Sequence, residues 1–341
     1  RDASLTLNAL MRAGLIDEAK RFGTWLINAV GGAPSQLQIM YGIRGERRLT
    51  EINLDWLSGY GGAKPVRIGN GAYDQFQLDV LGEFSAVLYV ATRLIGKVTE
   101  TAQLAFQGVA ERVEGAWRSP DHGIWEMRGP EQHFVASKVA AWTAVDRWVK
   151  VIEEQKLKAD LAKWTRLRDE ISAEICSKGF DSKRNTFTQY YGSTTLDASL
   201  LFIPLSGFLP ASDPRVVGTV KAIEEDLLQD GFVLRYRTES DEDAVDGLVG
   251  EEGVFLACSF WLANVYQMMG RHEDAERMFD KLAALCNDVG LLAEEYLPKE
   301  KQQIGNFPQA FSHLALVNSA YMLSEGSAVK GLGLRTTSSP V

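Results

Sequence analysis

Two acidic motifs stand far apart in the chain, and each sets a carboxylate beside an aromatic ring: Asp121-His122-Gly123-Ile124-Trp125-Glu126-Met127-Arg128-Gly129 and Ala293-Glu294-Glu295-Tyr296-Leu297-Pro298. Hydrolysis of a glycosidic bond with inversion requires two such groups. One is protonated to release the leaving oxygen, and the other is ionised to activate water on the opposite face. An aromatic neighbour suits both demands. Its ring is an apolar wall that can raise one carboxyl's pKa, and it stacks on the weakly polar face of a pyranose. Each motif alone also has a plainer reading: Glu126 as a loop carboxylate paired with Arg128, and Glu294-Glu295 as a solvated acidic turn. Against the second stands the string Gln303-Ile304-Gly305-Asn306-Phe307-Pro308-Gln309, which leads directly into an apolar helix.

Other chemistries find less support. The four histidines show no metal-ligand spacing, so neither a metal nor another cofactor is expected. His122 and His133 bracket Glu126, His272 lies in a turn, and His313 falls on an apolar helix. No Gly-x-Ser-x-Gly elbow occurs. The glycines from Gly59-Tyr60-Gly61-Gly62 to Gly69-Asn70-Gly71 lack the Gly-Lys-Ser/Thr ending of a phosphate loop and follow no predicted strand. Of the eight tryptophans, Trp25, Trp142, Trp148, Trp164 and Trp261 fit helix cores, whereas Trp56 and Trp125 lie in loops and are the better candidates for stacking on sugar.

The elements that must position these residues are helical. Phe22, Trp25, Leu26 and Ala29 share one face, as do Val139, Trp142, Val145 and Val149. The segments Val254 to Met269 and Ala310 to Leu323 are apolar all round, hence buried all round. Amphipathic segments alternate with them, which predicts an inner layer of buried helices wrapped by an outer one. Gly14-Leu15-Ile16-Asp17-Glu18-Ala19 and Gly270-Arg271-His272-Glu273-Asp274-Ala275 repeat one hairpin turn, with Gly closing a helix and acids opening the next. About eleven helices are expected in this way, starting near Arg1, Asp17, Gln77, Thr101, Ser137, Ala159, Leu196, Pro214, Val254, Glu273 and Pro308. A twelfth would lie upstream or in the weakly patterned tail. Strand signals are few. The long connections Ala33 to Tyr73 and Leu228 to Gly253 are of a length typical of functional loops.

Composition sets the bounds. The chain has 341 residues, 45% of them hydrophobic, enough for a sizeable core, and a formal net charge of -9 that argues against nucleic acid as a partner. No run spans a membrane and no signal peptide opens the chain. Three cysteines without CxxC spacing suggest buried thiols and a cytoplasmic setting. Arg1-Asp2-Ala3-Ser4-Leu5 reads as the inside of an uncapped helix, so the chain reads as a piece of a longer one.

Together the motifs resemble glycoside hydrolase family 15, the glucoamylase-like family that also contains trehalases and glucodextranases. The resemblance rests on Arg1-Asp2-Ala3, Gln38-Ile39-Met40-Tyr41-Gly42-Ile43, Gly59-Tyr60 with Pro65-Val66-Arg67-Ile68-Gly69-Asn70, Gln77-Leu78-Asp79, Gly123-Ile124-Trp125-Glu126, His133-Phe134 with Ser137-Lys138-Val139, Cys258-Ser259-Phe260-Trp261, and Gly305-Asn306-Phe307-Pro308-Gln309-Ala310-Phe311-Ser312-His313. It implies an all-α fold, an (α/α)6 barrel of six helical hairpins, over residues 1–325, followed by an irregular tail, 326–341. The β-sandwich that precedes the barrel in bacterial relatives is not in this chain. The resemblance makes Glu126 the general acid and Glu294 the general base, with Ala293 in place of a common Ser. It places Arg1, Asp2 and Arg235 on the terminal glucose. Trp56, Tyr60, Lys64, Arg67, Trp125 and Glu295 complete the expected sugar contacts. Lys64 replaces an Arg common in the family, and a Lys cannot make a bidentate contact, so linkage preference can differ. The implied activity is exo-acting, inverting hydrolysis of α-glucan oligosaccharides. The alternative is an α,α-trehalase using the same carboxylates. A sugar-binding pseudoenzyme or a helical-repeat scaffold is the reading outside catalysis; the scaffold predicts a repeat of about 34 residues, which the chain does not show.

Overall fold

The computed structural model describes residues 1–30, 37–237 and 253–328. Eleven α-helices occur among them: α1 (Asp2–Arg12), α2 (Ile16–Val30), α3 (Asp79–Ile95), α4 (Glu100–Ala116), α5 (Val135–Gln155), α6 (Leu161–Lys178), α7 (Phe202–Leu205), α8 (Pro214–Asp226), α9 (Leu256–Met268), α10 (His272–Ala283) and α11 (Ala310–Ala328). The odd-numbered helices form a closed ring. α1 packs on α3, α3 on α5, α5 on α7, α7 on α9, α9 on α11, and α11 returns to α1. The even-numbered helices lie outside: α2 against α1, α4 against α3 and α5, α6 against α5, and α10 against α9 and α11.

Burial follows the patterning. Every residue from Leu256 to Tyr266 of α9 is buried, and so is most of α5, whereas α4, α6, α8 and α10 each bury a single stripe. Phe106 of α4 stacks on Trp148 of α5 at 6.0 Å, both inaccessible to solvent. Each such ring contributes roughly 2–3 kcal/mol by leaving water.

Three of the outer helices begin differently from the inner ones, while the outer α10 starts at Arg271 without a side-chain cap. The outer helices α4, α6 and α8 start on side-chain caps, with Thr99, Asp160 and Asp213 accepting from backbone N–H groups. The inner helices α1, α3, α5 and α9 start at Arg1, Leu78, Phe134 and Phe255, none of which caps with its side chain. Their N-terminal N–H groups, the positive ends of the helix dipoles, are left to the loops at one mouth of the ring.

Those loops carry short strands. β1 (Ile52–Asn53) pairs with β2 (Arg67–Ile68), β3 (Phe180–Asp181) with β4 (Thr186–Phe187), and β5 (Leu228–Gln229) with β6 (Phe232–Val233). β7 (Val254–Phe255), β8 (Glu295–Leu297) and β9 (Gln302–Ile304) form one antiparallel sheet in which Phe255 stands opposite Glu295, and Glu295 opposite Ile304. This sheet stitches the entry of α9 to the entry of α11. The segment expected to be a helix from Leu196 is instead a 3-10 turn, Ala198–Leu201, running into the four-residue α7. Pro204 inside α7 removes a backbone donor there. Of the tail expected from 326, α11 includes residues up to Ala328 and the rest lies outside the described residues.

Candidate active site

Glu126 sits at the tip of a loop whose base is closed by reciprocal backbone hydrogen bonds between Asp121 and Gln132, 2.9 Å each way. Asp121 is buried and accepts from Leu78 N–H at 2.9 Å, fixing the loop to the start of α3. The buried Lys138 of α5 donates from Nζ to the carbonyls of Trp117 and Ser119 at 2.7 and 2.5 Å, tying α5 to the end of α4 where the loop leaves it. Burial pushes the Asp121 carboxyl up to about 7 and the Lys138 ammonium down to about 8. Glu126 itself holds a left-handed backbone, φ 57°. That conformation is costly for a residue with a Cβ and is seen where the surroundings enforce it. The enforcing contacts are Asn70 Nδ2, which donates to Glu126 Oε2 at 3.1 Å, and Gln75 Nε2, which donates to the carbonyls of Glu126 and Met127 at 3.5 and 3.0 Å. The expected alternative, a Glu126–Arg128 pair, is not what forms: Arg128 Nη2 donates to Glu51 at 3.1 Å.

Glu294 occupies an equivalent setting at the entry of α11. Its Oε2 accepts from the backbone N–H of Asn306 at 3.1 Å and from Asn306 Nδ2 at 3.0 Å, and its own N–H donates to the Asn306 carbonyl at 3.0 Å. Asn70 follows Gly69, with φ 73°, and Asn306 follows Gly305, with φ 78°. A Cβ on Gly69 would stand 2.2 Å from the Thr50 carbonyl, and one on Gly305 would stand 3.0 Å from Glu294 Oε2. Both turns therefore need glycine, and each delivers an Asn amide to one carboxylate. The preceding residue, Ala293, is buried; Ser312 Oγ donates to its carbonyl at 2.8 Å. His313 holds the same segment, accepting from Leu292 N–H at 3.2 Å through Nε2 while its Nδ1 lies 2.7 Å from the Gln309 carbonyl, so it braces the loop.

The two motifs meet through aromatic rings. Trp125 packs edge-on against Phe255 at 5.6 Å and, tilted by 31°, against Trp261 at 5.8 Å. Phe255 in turn pairs with Glu295 in the β7–β8 ladder, and Leu256 N–H donates to the Glu294 carbonyl at 3.2 Å. The Arg235 guanidinium lies over Trp125, Tyr236 and Phe255 at 5.4, 5.3 and 5.6 Å. Glu295 Oε2 accepts from Gly253 N–H at 3.0 Å.

Arg1 faces the same mouth. Its Nε donates to Asp79 Oδ2 at 2.7 Å and its Nη2 to Gln77 Oε1 at 2.9 Å. Burial works against its charge, but the carboxylates of Asp79, Asp2 and Glu126 outweigh that and raise its pKa. Arg1 is thus within the field of Glu126, and Asp2 lies exposed beside it in the first turn of α1.

The remaining expected contacts are not drawn in. Trp56 and Tyr60 are 76% and 79% exposed, on the connection between β1 and β2, and Lys64 is exposed beside them. Arg67 lies 3.6 Å from Glu51, whose other oxygen accepts from Gly71 N–H and Arg128, tying the hairpin to the Glu126 loop. The Gly71 N–H first, with Arg128, holds the Glu51 carboxyl below its usual value. The second half of the expected loop from Arg235, residues 238–252, lies outside the described residues.

Below the loops a cavity of about 230 Å³ follows the ring's axis, from Asp79, Ile124 and Trp261 near the helix entries to Arg12, Arg147 and Asn318 deeper in. Among the described residues no group of three or more His, Cys, Asp or Glu is placed to hold a metal ion, and no helix is long and apolar enough to cross a membrane. Residues missed by sequence reasoning are Asn70, Gln75 and Asn306 around the carboxylates, Gln77 and Asp79 around Arg1, and Asp197, which accepts from the Trp125 indole. The signal for two of them was present as the paired Gly-Asn dipeptides.

The family model for glycosyl hydrolases family 15 matches residues 1–321. The chain belongs to this family. Among its relatives, a trehalase of Mycobacterium tuberculosis is 44% identical over 94% of this chain and 47% of its own length, and a trehalase of Thermoplasma acidophilum is 36% identical over 95% and 55%. The chain spans about half the length of the curated relatives it matches. A wild-type glycosidase structure superposes with a TM-score of 0.72 at 20% identity, covering 95% of this chain and 87% of that one. A bacterial glucoamylase complexed with acarbose superposes with a TM-score of 0.70 at 14% identity, covering 95% and 48%. The fold of this family-15 chain is therefore the expected (α/α)6 barrel.

Proposed function

We propose that the chain is the catalytic barrel of an inverting glycoside hydrolase whose substrate is α,α-trehalose. The observation that carries the chemistry is the matched pair of carboxylates, Glu126 and Glu294, each gripped through Oε2 by an Asn that follows a left-handed glycine. What favours trehalose over the α-glucan oligosaccharides expected first is the naming of the relatives, six of which, at 31–44% identity, are trehalases.

In this reading Arg1, Asp2 and Arg235 bind the hydroxyls of the glucose to be cleaved. Glu126 gives its proton to the bridging oxygen as the C1–O bond breaks through an oxocarbenium-like state. Glu294 takes a proton from the water that attacks C1 from the other face, and the new C1–O bond has β configuration. The proton count closes: Glu126 loses one, Glu294 gains one, and solvent resets both. Trp125 and Phe255 form the apolar wall behind the sugar, and the β1–β2 hairpin with Trp56 and Tyr60 reaches the leaving glucose. The two carboxyl groups must stand roughly 6.5–9.5 Å apart across the sugar to admit the water.

The test is proton NMR of early products from trehalose, maltotriose and isomaltose with the full-length protein. Both anomeric carbons of trehalose are α. Inversion at one therefore yields equal amounts of β-glucose and α-glucose, the second being the unchanged leaving group. Glu126→Gln should lower turnover about 10²–10⁴-fold. α-Glucose alone from trehalose would sink the inverting scheme, and release of glucose from maltotriose in preference to trehalose would return the substrate to the α-glucans.

A further inference from the structure

We infer that Asp197 is a positioning residue for this reaction: its carboxylate holds the Trp125 indole, and through it the acid Glu126 that follows. The inference rests on the assignment of Glu126 made above.

Asp197 is 1% exposed and lies where three loops converge. Both of its oxygens lie 2.9 Å from Trp125 Nε1, Gln189 Nε2 donates to Oδ2 at 3.0 Å, and Ser199 N–H donates to Oδ1 at 2.7 Å. Three donors thus meet a group that only accepts, the arrangement that satisfies an ionised carboxylate without water. The backbone beside it joins the third loop. Asp197 bridges Tyr236, and Ala198 N–H donates to the Arg235 carbonyl at 2.7 Å. One residue therefore fixes the indole with its side chain and the guanidinium-bearing loop with its backbone. Arg235 lies 5.4 Å over the ring that Asp197 holds by its edge. The Asp197 acceptor at the ring edge and the Arg235 cation over the ring face thus hold the indole from two sides.

The consequence reaches Glu126 by covalent geometry. Glu126 is left-handed, φ 57°, and directly follows Trp125. A Trp125 that can turn removes one of the walls that keep this peptide in its uncommon conformation. The other holds on this peptide are hydrogen bonds: Met127 N–H donates to the His122 carbonyl at 3.1 Å within the loop, and Asn70 and Gln75 grip Glu126 from the N-terminal segment of the chain, so the indole is its apolar support.

Asp197→Asn is the sharp variant. It keeps the volume but turns one oxygen into an N–H₂ group facing donors, and turning Gln189 to suit it would sacrifice the 3.0 Å bond from Thr195 Oγ1 to Gln189 Oε1. The experiment is a double-mutant cycle of Asp197→Asn with Trp125→Phe in the full-length protein, read as kcat and KM for trehalose and as indole ¹H–¹⁵N resonances of ¹⁵N-Trp protein. Each single variant should lower kcat about 10–100-fold and leave KM within about threefold. The double variant should be no slower than Trp125→Phe alone. The resonance that disappears in Trp125→Phe should be the one that shifts most in Asp197→Asn. Additive losses in the cycle, or an unmoved Trp125 resonance, would overturn the positioning role. A wild-type protein inert on trehalose would instead defeat the substrate assignment, and the indole resonance would still decide whether Asp197 holds Trp125.

Discussion

Asn306 grips Glu294 twice through one oxygen, from its backbone N–H at 3.1 Å and from its side-chain amide at 3.0 Å, and returns a carbonyl to the Glu294 N–H at 3.0 Å. The carboxylate is thereby oriented by a residue twelve positions away on an exposed loop, outside the packed ring. Asn306→Ala removes the side-chain donor and leaves the backbone one. A hydrogen bond to a charged group is worth about 1.5–3 kcal/mol, so kcat on trehalose should fall about 10–100-fold. The melting temperature should hardly change, because Asn306 is exposed. Parallel initial-rate and thermal-melt measurements check both halves.

Gly305→Ala tests the same geometry by crowding. The new methyl would meet Glu294 Cβ and Oε2 at 3.0 Å on a backbone with φ 78°. The carboxylate must yield, so turnover should drop at least about tenfold, with a stability loss of roughly 1 kcal/mol for the strained backbone. Wild-type kcat in this variant would show that Glu294 can act from a displaced position.

Trp56→Ala and Tyr60→Ala address the hairpin. Both rings are largely exposed, so their removal should leave the melting temperature within about 1 °C, as for surface substitutions generally. If they border the leaving glucose, KM should rise several-fold with kcat little changed. A fall in kcat with KM constant would place them elsewhere.

Buried titratable groups behind the Glu126 loop set a pH signature for stability. Asp121 is raised from 3.8 to about 7 by burial. The folded chain binds that proton more tightly than the unfolded one, so this contribution is complete below about pH 4 and is lost as pH rises through about 7. It amounts to up to ~4 kcal/mol. Lys138, lowered by burial from 10.5 to about 8, gives the opposite slope: its share grows between about 8 and 10.5. Denaturant titrations across pH should show the pair contributing a minimum near pH 7–8, and Asp121→Asn should flatten the acid side. An unchanged slope between pH 4 and 7 in that variant would mean Asp121 is ionised throughout.

The ring was legible because its members announce themselves by composition. The apolar runs of α9 and α11 and the stripes of α2 and α10 follow from a 3.6-residue period, and Pro214 marks its helix start to the residue. α7 was misread as a full helix because its neighbours are apolar enough to continue one, whereas a 3-10 turn and Pro204 shorten it. The β7–β9 sheet was invisible, since strands of two or three residues carry no period. At the site, Glu126 and Glu294 stood out as carboxylates beside rings. Their clamps did not, because which amide reaches which oxygen is decided by chain paths between residues 56 positions apart, such as Asn70 and Glu126. Asp197 carried no motif at all.

The contact of α11 with α1 closes the ring between the first helix and the last. In chain order Arg1, Gln77, Asp79 and Glu126 all precede α5, whereas Glu294 and Asn306 come just before α11. A chain stopped short of α11 would hold both carboxylates but leave the apolar inner faces of α1 and α9 facing water, the kind of surface that chaperones bind and proteases clear. The helix that covers α1 and α9 is thus the one whose entry carries the Glu294–Asn306 turn, so the seam and the setting of that carboxylate form together.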